Sequence, residues 1–176
     1  LKPGNVVADF TKRRELILHA ILREGEKLNA DTVIDESLLD EVTGLVEYPV
    51  ALTGQFDELF LEVPSEALIL AMKSHQKCFY LLNKNKELLP YFVTVSNIRS
   101  ADPLQVVKGN ERVIRPRLAD AKFFYETDKR VSLENRLDQL KKVVFQVQLG
   151  TVYDRSLRVA NVAKFLAVST GLNAAQ

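Results

Sequence analysis

Apolar positions change period several times along the 176 residues, and each change marks an expected element. Phe10, Ile17, Ile21 and Leu28 recur at helical spacing, Leu18 and Leu22 widen the stripe, and Asp9 precedes it as an N-cap. A short β-like run, Val6-Val7-Ala8, comes just before. Residues 29–34 read as a connector. Asp35 then opens a shorter helix with Leu38, Leu39, Val42, Leu45 and Val46 as its buried set. From Glu47 the texture turns β-rich: residues 48–53 and 59–63 read as strands around the polar residues 54–58. Pro64-Ser65 opens another helix with Ser65 as cap, and Leu68, Met72 and His75 share one face of it. Residues 79–82 and 91–95 flank the polar stretch 83–87, the clearest hairpin in the chain, with Pro90 blurring the start of its second strand.

Asp102-Pro103 is a cap followed by proline at the first helical position, so helix resumes there through Leu104, Val107 and Val113. Arg115-Pro116 predicts an interruption, because the ring of Pro116 removes a backbone donor and clashes with the preceding turn. Beyond it Leu118, Ala121 and Tyr125 form a stripe with Phe124 alongside, an aromatic ridge expected to be core. Ser132 caps a helix with Leu133, Leu137, Leu140, Val144 and Val147 at bundle-like spacing, stopped by Gly150. Leu157, Ala160, Ala163, Leu166 and Ala167 form a last helical pattern ending at Gly171. The predicted class is α+β: a small, mostly antiparallel sheet with packed helices, followed by a helical C-terminal part.

Composition narrows the function more by exclusion than by assertion. Hydrophobic content of 47% and charged content of 27% are ordinary for a globular domain. The net charge of +1 matters only where charge clusters. Residues 108–130 are such a place, with seven basic and four acidic side chains. There Arg115 and Arg117 flank Pro116, and two readings stand: structural ion pairs with Glu111, Asp120 or Asp128, or contacts to phosphates. The run Lys12, Arg13, Arg14 and Arg23 reads as a solvated helix face. Cys78 is the sole cysteine, and His19 and His75 are far apart, so neither a disulfide nor a thiolate metal cluster is expected. No run reaches membrane-span length and no signal peptide is apparent, which fits a cytoplasmic protein. A start at Leu1 and a stop at Gln176 just after a helical pattern read as a piece of something longer. Phosphate-cradling loops, dinucleotide fingerprints and nucleophile elbows are absent, so the residues point to a binding or structural domain.

Four stretches carry a resemblance. They are residues 46–52 (Val-Glu-Tyr-Pro-Val-Ala-Leu), 63–79, 148–159, and 109–128, which opens Gly-Asn-Glu-Arg-Val-Ile-Arg-Pro-Arg-Leu-Ala-Asp-Ala-Lys-Phe-Phe. In order along the chain they closely resemble the β subunit of bacterial glycyl-tRNA synthetase; Cys78 departs mildly, standing where an aromatic residue is expected. The resemblance implies an internal segment of the N-terminal half of that subunit, in an α2β2 enzyme whose α subunit activates glycine with ATP and Mg. It implies a B3/B4-like α+β domain over residues 1–147 and the start of an HD-like helical domain over 148–176, without that domain's metal motif. Expected partners are the α subunit, the remainder of β and tRNA(Gly), with no membrane. No catalytic or metal residue is assigned and no cofactor is expected in this segment, so it should form no glycyl-adenylate by itself. Candidate tRNA contacts are Lys73, Lys77, Arg115 and Arg117 for phosphates, and Asn97 and Asn110 for polar groups. The alternative role is a scaffold bracing the α subunit and the rest of β.

Overall fold

The computed structural model describes residues 5–171 and divides into two compact units, Leu1–Tyr125 and Glu126–Gln176. The expected boundary at 147/148 lies inside the second of them. In the first unit, helix α1 (Phe10–Lys27) is capped by Asp9, whose carboxylate accepts the Lys12 N–H at 2.9 Å. The two-residue strand β1 (Asp31–Thr32) lies within the expected connector and leads to α2 (Glu36–Leu45), capped by Asp35. Strand β2 (Val50–Gln55) is followed by a 3-10 turn (Glu58–Glu62) and α3 (Ser65–Gln76). The hairpin β3 (Phe79–Leu82) and β4 (Leu88–Ser96) precedes the long helix α4 (Pro103–Lys129). All pairings in the sheet are antiparallel, in the order β1-β3-β4-β2, which leaves β2 at an edge.

Strand alternation sends successive side chains to opposite faces, and helices cover both. One core joins Phe79, Leu81 and Val93 of the sheet to Ile17 and Ile21 of α1 and Leu38, Leu39 and Val42 of α2. The other joins Cys78 and Phe92 to Leu68 and Met72 of α3 and Ile114 and Leu118 of α4. Gly54 is directly across from Phe92, and a Cβ on it would come within 2.4 Å of the ring. The ring therefore occupies the space that any other residue at 54 would fill. Pro90 is tolerated in β4 because it falls beside the irregularity in the β3–β4 register between Tyr80 and Leu82.

Several expectations fail for identifiable reasons. Val6-Val7-Ala8 forms no strand; the Val7 N–H donates to the Glu47 carbonyl at 2.9 Å instead. Residues 59–62 are a 3-10 turn because the Asp57 carboxylate takes the Leu59 N–H and winds the backbone there. Pro64, not Ser65, occupies the cap position of α3, without a side-chain bond. Pro116 does not interrupt the helix: α4 runs unbroken through it. At about 100° per residue, Pro116 lies opposite the buried pair Ile114 and Leu118, so the Arg112 carbonyl it leaves unbonded faces water. The ridge after Pro116 is core only in part: Leu118 is buried and Tyr125 packs against the second core, whereas Phe124 is 63% exposed and meets Phe123 edge-to-face.

In the second unit the bundle-like pattern after Ser132 ends early. Helix α5 (Leu133–Leu140) stops before the run Val143-Val144-Phe145, whose β-branched and aromatic residues prefer extended backbone. A two-stranded hairpin, β5 (Val144–Gln146) and β6 (Gly150–Thr151), replaces it, with Gly150 at φ +85° in the left-handed region. Thr151 then caps α6 (Val152–Ser169) in a reciprocal capping box with Asp154.

Two substitutions test this account. Gly54→Ala should destabilise the protein by about 1–3 kcal/mol by overpacking, and adding Phe92→Leu should recover part of the loss in chemical denaturation. Pro116→Ala should restore one helical hydrogen bond and raise stability by about 1–3 kcal/mol. A loss of stability there would show that the ring makes contacts the helix needs.

Candidate nucleic-acid interface

The cations of this chain fall into two groups, those already neutralised and those left open. Arg13 is 9% exposed although it was expected on a solvated face. Its Nε donates to the Thr43 carbonyl at 2.9 Å, and one terminal nitrogen donates to the carbonyls of Val7 and Ala8 at 2.5 and 3.2 Å. It is a structural clamp rather than a contact. Arg14 bonds Glu36 and Asp40 of α2, and those carboxylates, the Asp40 bond first, raise its pKa.

Two of the four basic sequence candidates are neutralised in the same way. Lys73 bonds Asp35, and Lys77 pairs with Glu41 at 2.8 Å while closing α3 in the left-handed conformation. Asp35 is held far below its usual carboxylate range, first by Lys73, then by the Ser37 hydroxyl and the Leu38 N–H. Both polar candidates serve the backbone. The Asn97 amide oxygen accepts the N–H groups of Glu47 and Tyr48, each at 2.8 Å, and the Asn110 amide donates to the Val106 carbonyl one turn back at 2.9 Å. His75 is exposed in the last turn of α3.

Arg115 and Arg117 are exposed, and among the described residues neither has an ion pair or hydrogen bond. Of their expected partners, Glu111 accepts the Gln55 N–H at 3.0 Å and Asp128 pairs with Arg136 at 3.0 Å. The two arginines are not a pair in space. Two residues apart on a helix, they are separated by about 200° and flank the Ile114–Leu118 stripe on opposite sides. Arg115 instead joins Lys108 and Arg112, at i, i+4 and i+7 on one face. These three, with Glu111, Gln55 and Phe56, line a recess of about 340 Å³ where the end of β2 meets α4. Lys108 and Arg112 lie outside the six sequence candidates, although their helical spacing from Arg115 is legible in the chain. Among the described residues these three cations have no ion pair, and around one engaged carboxylate and an aromatic side chain they can hold phosphate oxygens.

Among the described residues no group of three His, Cys, Asp or Glu side chains could hold a metal. Cys78 is fully buried, and loss of solvation pushes its pKa up to about 12, so it is no nucleophile. No helix among the described residues is long and apolar enough to cross a membrane.

The fold and this site define an α+β domain with a basic recess between the end of β2 and α4. Along residues 1–176 the chain matches the family model described as glycyl-tRNA synthetase beta subunit, and it belongs to that family. It is 55% identical over 171 residues to the glycine–tRNA ligase beta subunit of Chromohalobacter salexigens, covering 97% of this chain and 25% of that protein. The Marinobacter nauticus protein of the same name is 54% identical over 165 residues, 93% of this chain and 24% of the relative. That of Coxiella burnetii is 54% identical over 167 residues, 95% and 24% respectively. The chain thus spans about a quarter of the length of these relatives.

The Lys73–Asp35 pair gives a pH test. Asp35 has a folded pKa below its ordinary value of 3.8, so its contribution is full above that value and is lost as pH falls through and below it. Melting temperature should therefore drop on acidification below about pH 4, and Lys73→Met should shrink that drop by removing the largest cause of the shift. An identical acid profile in the variant would show that the pair contributes nothing to folding.

Proposed function

We propose that this chain is the part of a glycyl-tRNA synthetase β subunit that helps hold tRNA(Gly), through the α4 face bearing Lys108, Arg112 and Arg115. Its role in the ligase is binding and assembly, while ATP, Mg and the chemistry of glycine activation belong to the α subunit. The observation that carries the reading is the convergence on one recess of three cations that have no ion pair among the described residues. Membership of the family and the printed names of the relatives supply the RNA. Arg117 adds a separate contact on the other flank of α4. Lys73, Lys77, Asn97 and Asn110 shape the domain rather than touch the nucleic acid, because each already holds a protein group through an ion pair or a hydrogen bond.

The scaffold reading keeps a place beside this one, in the second unit. Phe145, Leu149, Val159, Val162, Ala163 and Leu166 line an apolar recess of about 450 Å³, and Phe165 and Val168 are 71% exposed on α6. An apolar face of this kind suits packing against the rest of the longer β subunit.

Salt-dependent binding tests the RNA reading. In the full-length protein assembled with its α subunit, Arg112→Gln with Arg115→Gln should weaken binding of a tRNA(Gly) transcript. The slope of log affinity against log salt should fall by about 0.7–0.9 per lost phosphate contact. Among the described residues neither arginine has an ion pair or side-chain hydrogen bond, so melting temperature should stay unchanged. An unchanged slope would remove the α4 face from the interface.

A further inference from the structure

A second recess holds two more open cations. Arg23 of α1 and Arg99 of the segment after β4 line a cavity of about 350 Å³ together with His19, Asn5, Tyr48 and Pro49. No carboxylate lines it, and among the described residues neither arginine and not His19 has a hydrogen bond or ion pair. The three are exposed, whereas Tyr48 and Pro49 are half-buried and form an apolar wall. This contrasts with Arg13 and Arg14 on the same helix, both engaged by protein oxygens.

The recess is braced from two sides. The Asn97 amide oxygen takes the N–H groups of Glu47 and Tyr48, which ties the segment bearing Arg99 to the segment bearing Tyr48. On the other side the Val7 N–H bonds the Glu47 carbonyl, and the buried Arg13 guanidinium holds the carbonyls of Val7 and Ala8. Asn5 and Val7 of that strap line the cavity. A backbone held at so many points sets the floor on which the two exposed guanidiniums stand.

Its position in the sheet gives it meaning. Tyr48 and Pro49 lie just before β2, and Gln55 and Phe56 at its far end line the recess that holds Lys108, Arg112 and Arg115. The two basic recesses therefore bracket the edge strand. From Pro49 to Gln55 an extended chain spans about 20 Å at 3.3–3.4 Å per residue. Each end presents unpaired guanidiniums beside an aromatic side chain, the pairing suited to phosphate contacts next to an unstacked base.

We propose that Arg23 and Arg99 form a second phosphate site for the same RNA, with Tyr48 as the apolar wall against a nucleotide, so that the RNA follows β2 from one recess to the other. The inference rests on the RNA reading of the α4 face, and its test separates the two. Arg23→Gln with Arg99→Gln is placed in the full-length protein assembled with its α subunit and titrated with a tRNA(Gly) transcript over a salt series. Loss of two contacts should lower the salt slope by about 1.4–1.8, at 0.7–0.9 each, and weaken binding with no change in melting temperature. Arg23→Lys with Arg99→Lys should keep most of the slope, because point charges remain. Should the glutamine pair lower the melting temperature, the lysine pair decides: retained binding supports the site and lost binding overturns it. An unchanged slope for the glutamine pair overturns the second site. If Arg112→Gln with Arg115→Gln lowers the slope in that case, the α4 reading survives; if neither pair changes it, both readings fall.

Discussion

Burial of the sheet on both faces is the constraint from which the rest of the first unit follows. Phe79, Leu81 and Val93 belong to one core, Cys78 and Phe92 to the other, and a register slip of one residue would exchange the two sets. The Phe92 ring lying over Gly54 opposes such a slip between β2 and β4, because only glycine admits the ring there. Each face then needs its own helices, α1 and α2 on one and α3 and α4 on the other. Once Ile114 and Leu118 point α4 inward, the positions of its cations follow from helical geometry: Arg115 to one flank, Arg117 to the other, and Pro116 outward.

That layout also separates cations that stabilise the fold from those free to meet something else. Lys73, Lys77, Arg14 and Lys122 each bond a carboxylate supplied by another segment, and Lys122 also reaches the Leu59 carbonyl at 3.2 Å. Their charges are screened and partly cancelled. Five cations without an ion pair among the described residues, Lys108, Arg112, Arg115, Arg23 and Arg99, stand instead at the two ends of β2, which a formal net charge of +1 conceals.

Local signals proved legible where the chemistry is local. Asp9 and Asp35 cap helices because a carboxylate three residues ahead of a backbone N–H needs no distant partner. The β3–β4 hairpin and the start of α4 at Asp102-Pro103 were readable for the same reason. Where tertiary context decided, the reading failed. Arg13 carries the same charge as its neighbours, and only the carbonyls of Thr43, Val7 and Ala8 converging on it make it a core residue. Pro116 was read as a break because sequence does not say which way a proline will face. Residue type alone singles out the six candidate contacts, and the identity of their partners, which separates Lys73 from Arg115, is a property of the fold. Family resemblance was the strongest signal of all, since a long specific block outweighs any single spacing.

Cys78 offers a use quite apart from nucleic acid. The only thiol in this chain is sealed between α3 and the sheet, with its pKa pushed up to about 12. An alkylating reagent reacts with thiolate, so modification has to wait until this core opens and the sulfur regains its ordinary acidity. The labelling rate of Cys78 therefore clocks the breathing of the sheet's second face, with no reporter group added.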